Sequence, residues 1–381
     1  MAFPSGWTRR VKLTVDKTYI PSDRTDFPVC LVWTGAAGTS DLPQEMMDAD
    51  GAHPCLNGGG DVRFSTDAAG TTRLPCEIVK CVTNNNPALA LAEIHVKLPS
   101  ISSAANTDFY LWYGKAAETQ PAVSDAYGRN ATWSRYKLVY HCPETSGGDC
   151  FDSHGVKDGS FVGDLPNNTT GLLGVNSAQS LLPLTSSEDE IKIESQNPSA
   201  SAITLIFIGK WAKTGSPTNP RMSERSADGS LRMRINTTSD TVEAQFKAGG
   251  STASCTSTGA VTDNQYYLEA GKYDGSNIGV VRMDGSANDG LVGALAKTGT
   301  LDTNAGDFAF GGRGGTTGSN FPGEVEEFRW SDTCFSTDES ASIWHNFNVP
   351  ESFVIVGTPE TPNLRVFDFS PYMAKVMSGA L

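Results

Sequence analysis

Apolar residues recur at every second position in short runs along almost the whole chain, and that spacing most constrains the fold. In "WTRRVKLTVD" (7–16), Val11, Leu13 and Val15 share one face, as in a strand with one buried side. "TDFYLWYGK" (107–115) sets Phe109, Leu111 and Tyr113 against Tyr110 and Trp112, and "AITLIFIGKW" (202–211) is a more apolar run of strand length. Turn residues separate the runs, 39 glycines among them, and leave little room for long helices. An all-β architecture of short strands follows. Helical spacing is confined to "STDESASIWHNF" (336–347). There Ser336 or Thr337 serves as N-cap, Asp338 and Glu339 occupy the first turn, and Ile343, Trp344 and Phe347 share a face.

The stretch "GGGDVRFSTDAAGTTRLPCEI" (58–78) looks functional but reads as a hairpin. Val62 and Phe64 lie on one face, "TDAAGT" makes the turn and "RLPCEIVKCV" runs back. A phosphate-binding loop needs a lysine and a hydroxyl after its glycines, and neither is in place here or in "GGRGGTTG". Further hairpins are expected to turn at Asn236-Thr237, Asp274-Gly275 and Asp284-Gly285. At 381 residues the chain exceeds one typical domain of roughly 100–200 residues. Alternation lapses in "KAAETQPAVSDAYGRNATWSR" (115–135), which places a boundary near residue 130. The expected units are 1–130, 131–356 and a tail, 357–381.

A formal net charge of −14 repels polyphosphate, so nucleic acid is not expected as a partner. The start lacks the apolar run of a signal peptide and no later run reaches membrane-span length. Synthesis in the cytoplasm without membrane insertion is expected. In that setting the eight cysteines read as buried free thiols, with Cys142 and Cys150 the pair to test for a bridge. "YHCPETSGGDCFDSHG" also offers His141 and His154, but the intervals are not those of a zinc ribbon or finger. The five histidines, His53, His95, His141, His154 and His345, show no recurring partner pattern. Each reads as a surface or internally satisfied side chain.

Six motifs occur in order: "GW-x-RR-x-K-x-T" (6–14), "TDFPVCL" (25–31), "GGDVRF" (59–64), "LPCEI" (74–78), "IHVKLP" (94–99) and "FYLWYG" (109–114). Together they make residues 5–118 resemble domain of unknown function 2341. That resemblance implies a small β-sandwich of unassigned activity, found beside lectin-like domains in surface and virion proteins. Cys76 stands where that family usually carries an aromatic or acidic residue. Residues 136–356 resemble laminin-G-like lectin domains of the concanavalin A-like jelly roll, through "VYHCPE…DSHG", "IGVVRMDG", "FAFGG" and "PGEVEEFRWSD". The fold so implied is two β-sandwiches, the second a jelly roll, followed by an extended tail.

No nucleophile elbow or zinc-protease motif is present, and no catalytic residue is assigned. The alternative of a glycoside hydrolase rests on Glu188, Glu190 and Glu194 in "SEDEIKIES" and Glu324, Glu326 and Glu327 in "GEVEEF", where alternation puts two acids on one face. Neither stretch matches the Glu-x-Asp-x-x-Glu of laminarinase-like enzymes. Ligand binding is the stronger expectation. The laminin-G-like resemblance implies rim calcium, with Asp149, Asp152 and Asp307 as candidate ligands. Trp211, Tyr273 and Trp330 are candidates for stacking on sugar faces. In the tail, Leu364, Phe367, Phe369, Tyr372 and Met373 are expected to dock on a neighbour or another copy. The resulting expectation is a non-enzymatic structural or decorating protein of an extracellular assembly, a tailed-bacteriophage virion reached by lysis, with a lectin-like domain turned toward host-surface polysaccharide. A receptor-binding adhesin acting alone is the alternative.

Overall fold

The alternating runs become strands, and the turns between them decide which sheet each strand joins. The computed structural model describes residues 4–35, 41–181, 189–199, 201–213, 219–225, 230–284, 288–303, 306–313 and 320–361. Strands hold 47% of it and helices 9%, so the protein is all-β. Leu364, Phe367, Phe369, Tyr372 and Met373 lie outside the described residues.

Arg9–Val15 pairs antiparallel with Thr107–Tyr113 on one side and with Val354–Val356 on the other. Arg63–Ser65 and Arg73–Leu74 complete a five-stranded sheet. Val11, Leu13 and Val15 are buried on its inner face, as the alternation requires. A three-stranded sheet of Arg24–Trp33, Leu91–Ile101 and Cys76–Val82 lies against it. The expected hairpin is present but short. Phe64 faces Leu74, and the turn closes on Asp67, whose carboxylate accepts N–H bonds from Ala69, Thr71 and Thr72. At Pro75 the chain changes sheets, so that 76–82 pairs with Leu91–Ile101. Upstream, Gly58 and Gly59 have φ of +86° and +67°, the left-handed region that glycine enters at little cost. Beside them, a Cβ on Gly60 would stand 2.6 Å from the Glu118 carbonyl oxygen. The glycine run is a backbone requirement.

The second sandwich has two eight-stranded sheets. Leu205, Phe207, Phe328 and Trp330 from one meet Ile191, Met233, Phe246 and Phe308 from the other. Two of its hairpins turn where expected, between Asn236 and Thr241 and between Tyr273 and Asn277; Gly285, of the third expected turn, lies outside the described residues. The strand Ile203–Trp211 is buried along nearly all its length because it is covered twice. Leu205 and Phe207 face the core of their own sandwich, while Ile206 and Ile208 join the core of the first. The sheets therefore stack in series: five-stranded, three-stranded, eight-stranded, eight-stranded.

Thr337–Asn348 is the expected helix, capped by Ser336, which accepts from the Glu339 N–H at 3.1 Å. Ile343, Trp344 and Phe347 are buried. Asn346 reaches into the three-stranded sheet and clamps Cys30, accepting its N–H at 2.6 Å and donating to its carbonyl at 2.9 Å. From that helix the chain returns to the first sheet through Val354–Val356. All eight cysteines are free thiols and seven are buried. The Cys142 and Cys150 sulfurs lie 4.0 Å apart.

Candidate functional site

Where the three-stranded sheet meets the second sandwich, buried ionisable side chains from both gather in one cluster. Strand Cys76–Val82 contributes Glu77 and strand Leu91–Ile101 contributes Glu93 and His95. From the second unit come His141, one residue past strand Leu138–Tyr140, and Glu327 and Arg329 on strand Gly323–Ser331. All six are buried.

His141 is the hub. Its Nδ1 lies 2.6 Å from Glu327 Oε2 and 3.6 Å from Glu93 Oε1, and its Nε2 lies 3.2 Å from Glu77 Oε2. Glu77 also accepts from Trp133 Nε1 at 2.5 Å and from the Ser153 hydroxyl at 2.8 Å. Arg329 Nε meets Glu327 Oε1 at 2.5 Å, with the guanidinium over the Trp133 ring at 4.8 Å. His95 stacks on His141 with ring centroids 4.5 Å apart, its Nε2 3.1 Å from Glu93 Oε1.

These contacts set the charges. Burial disfavours a charged His141, yet the carboxylates of Glu327 and Glu77 raise its pKa well above the ordinary value, which makes it an imidazolium. Burial likewise opposes ionisation of Glu327, but Arg329 and His141 hold its carboxyl down at about 2. Glu77 is held below the usual range against its own burial, chiefly by His141. His95 is pushed down by burial and by the neighbouring His141 charge, so it stays neutral.

One edge of the cluster reaches solvent. Glu77, His141 and Ser153 form the floor of a cleft of about 280 Å³ whose wall carries Arg129, Glu144 and Phe151. The Phe151 ring is 57% exposed, and its N–H donates to Glu144 Oε1 at 2.9 Å. Burial pushes the Glu144 carboxyl up. The Glu144 carboxyl also meets the buried Cys150 thiol, and Arg129 Nε is shielded from solvent. Such a cleft offers an exposed aromatic side chain, polar side chains in its wall and a fixed charge beneath, a composition suited to a small polyhydroxylated ligand.

The aromatic residues singled out in the sequence lie elsewhere. Trp211, Tyr273 and Trp330 are buried in the core of the second sandwich. Trp330 packs on Phe308 and donates to Asp332, and the Tyr273 hydroxyl donates to the Gly299 carbonyl. None turns a ring face to solvent, because strand-borne aromatics fill the space between the sheets.

The three aspartates do not converge. Asp149 is exposed on a strand edge. Asp152 is buried, and its carboxylate is spent on the N–H groups of Val139, His154, Val156 and Lys157. Asp307 pairs with Lys192 at 2.9 Å and accepts from the Ser195 N–H. Among the described residues the one set of three ligand-type atoms within 4.8 Å is Glu93, His95 and His141.

The paired-acid geometry is also broken. Glu188 lies outside the described residues, Glu190 is buried and Glu194 exposed. Glu324 is held by Lys210 and the Tyr266 hydroxyl. A register shift opposite Ile208 and Gly209 leaves Glu326 facing no partner residue, so Glu326 and Glu327 are both buried instead of alternating. Glu326 turns to the Leu172 and Leu173 N–H groups at 2.6 and 2.9 Å, Glu327 to the cluster. Sequence spacing contained no sign of either role, since a β-bulge inverts the facing of every residue beyond it.

Residues 185–340 match the concanavalin A-like lectin/glucanases superfamily. The second sandwich is a lectin-like domain. Solved structures with similarity include the binding domain of botulinum neurotoxin serotype D, at 13% identity over 55% of this chain and 50% of that one, with a TM-score of 0.40. A SAP-like pentraxin from Limulus polyphemus aligns at 12% identity over 42% of this chain and 77% of its own, TM-score 0.33. The Trypanosoma rangeli sialidase aligns at 10% over 71% and 42%, TM-score 0.39. The chain spans about half the length of the toxin domain it matches. No curated protein matches it.

Proposed function

We propose that the protein is a non-enzymatic glycan-binding protein and that a sugar sits in the cleft where its two sandwiches meet. The observation that carries this is the cleft itself, with exposed Phe151 on a wall that also carries Arg129 and Glu144. At about 280 Å³ the cleft falls near the lower end of ligand pockets, roughly 300–1,000 Å³, which fits one terminal sugar ring better than a chain. The lectin-like fold of the second unit supports the ligand class. Absence of catalysis is supported by the acids themselves: Glu324, Glu326 and Glu327 are each engaged by other protein groups.

The place of action is proposed as an extracellular assembly, specifically a tailed-bacteriophage particle. That placement rests on the resemblance of residues 5–118 to a module of surface and virion proteins, with the tail residues as the contact to a neighbour. Absence of the protein from purified particles would remove it.

Binding is tested on a glycan array followed by titration calorimetry with the best ligand. Phe151→Ala should weaken binding about tenfold, the loss of roughly 1.4 kcal/mol of aromatic stacking, with the melting temperature unchanged because the ring is mostly in water. A blank array for the wild type, or release of reducing ends from the ligand, would overturn the reading.

A further inference from the structure

Glu77, Arg129, His141 and Glu144 are the acidic and basic side chains that line the cleft between the sandwiches. All but one are already engaged by the protein. Glu77 accepts from Trp133, Ser153 and His141, and His141 spends its two nitrogens on Glu327 and Glu77. Glu144 accepts from the Phe151 N–H and meets the Cys150 thiol. Arg129 differs. Among the described residues it is in no ion pair, and its Nε is shielded from solvent without an acceptor. We propose that Arg129 grips the carboxylate of a terminal acidic sugar, of the sialic or uronic acid class, and so sets which glycans the cleft accepts. This rests on the reading that a sugar occupies the cleft and names the class of that sugar.

The charge balance around the cleft points the same way. Beneath its floor, Glu77, Glu93 and Glu327 are set against His141, Arg329 and Lys80, so the buried cluster needs no further ion. Burial pushes the Glu144 carboxyl toward its neutral form, which leaves Arg129 as the unbalanced charge of the wall. A Cβ built on Gly155 would stand 3.5 Å from Arg129 Nη2, so the guanidinium lies against the loop that supplies Ser153 to the floor. Arg129 is half-buried, and a charge so placed is screened by salt less than one in open water. Its planar fork of N–H donors matches a carboxylate with two parallel hydrogen bonds. The partner is a single acidic ring and not an acidic polymer, because the chain's net charge of −14 repels polyanions and the cleft holds only about 280 Å³.

The test titrates the full chain calorimetrically with matched sugars. Sialyllactose is compared with lactose, and a glucuronyl-terminated disaccharide with its glucosyl counterpart, the methyl ester of each acid serving as an uncharged control. One of the two acids should bind about tenfold tighter than both its neutral counterpart and its ester, and the two arms separate the sialic from the uronic class. In Arg129→Gln the acid and its neutral counterpart should bind about equally. Arg129→Lys should recover part of the difference, since lysine keeps the charge and loses the fork. If Arg129→Gln does not fold, the ester comparison on the wild type decides. Equal binding of acid, ester and neutral sugar, still weakened by Phe151→Ala, overturns this inference and leaves the cleft reading standing. An acid preference that survives in folded Arg129→Gln also overturns it, and a protein that binds no sugar at all removes both.

Discussion

Asp61 ends the glycine run and is 1% exposed, and replacing it tests whether that run is architecture. Its Oδ1 accepts the Leu56 N–H at 2.8 Å; its Oδ2 accepts those of Gly114 at 2.6 Å and Lys115 at 3.1 Å. One carboxylate thus ties the 56–61 loop to the end of strand Thr107–Tyr113. Asp61→Ala leaves three amide donors without an acceptor. A hydrogen bond to a charged group is worth about 1.5–3 kcal/mol and an unsatisfied buried donor costs about 1–3 kcal/mol. Allowing for water entering the vacated space, the expected loss is about 3–6 kcal/mol, a large share of a typical total of about 5–15 kcal/mol. Asp61→Asn can keep its oxygen on the Gly114 and Lys115 pair and orphan only Leu56, so its loss should be roughly half as large. Urea unfolding followed by circular dichroism measures both. If Asp61→Ala stays within about 1 kcal/mol of wild type, or Asp61→Asn proves as stable as wild type, the carboxylate is not what holds these loops together.

Two further perturbations probe the joint and the bulge. Asn346→Ala removes both hydrogen bonds to buried Cys30 and should cost about 2–4 kcal/mol, read as an earlier urea midpoint. Glu326→Gln addresses pH: burial raises that carboxyl to about 8 despite the amides pointing at it, against about 4.3 in the unfolded chain. The folded state therefore holds the proton more tightly. The stability it contributes is full below about pH 4.3, falls as pH rises through about 8 and levels off above. The glutamine variant should flatten that decline in thermal melts taken across the range, and an unchanged slope would count against a protonated Glu326.

Local structure was legible where one principle acted alone. The alternation in Arg9–Val15, the Ser336 cap and the turn after Tyr273 follow from residues within a few positions of each other. The candidate site was not, because its parts come from five separate stretches of chain. Glu77 sits on a strand whose polar positions look solvated, and only the second sandwich lying over it makes it buried. His95 and His141 carry no spacing signal, since their stacking is a product of two sheets meeting. Glu327 was hidden by the irregularity beside Gly209, which no periodicity in the strand itself announces. Trp211, Tyr273 and Trp330 show the converse error of scale: large aromatics on strands face inward far more often than they line a ligand surface. Phe151, in a polar loop, offered the better cue because nothing nearby could cover it.

The pairing of Val354–Val356 with Arg9–Val15 carries a mechanical consequence. In the folded chain the lectin-like sandwich is inserted between Thr107–Tyr113 and Val354–Val356, the two strands that flank Arg9–Val15 in a single sheet. A pull applied beyond residue 356 enters the molecule through the ladder between edge strand Val354–Val356 and Arg9–Val15, where Leu13 faces Val356 and Val15 faces Val354, and bypasses the sandwich altogether. A tether at that end would leave the second sandwich free of load, and tension would be resisted first by three short pairs of backbone contacts and by the isolated bridge from Arg10 to Glu360.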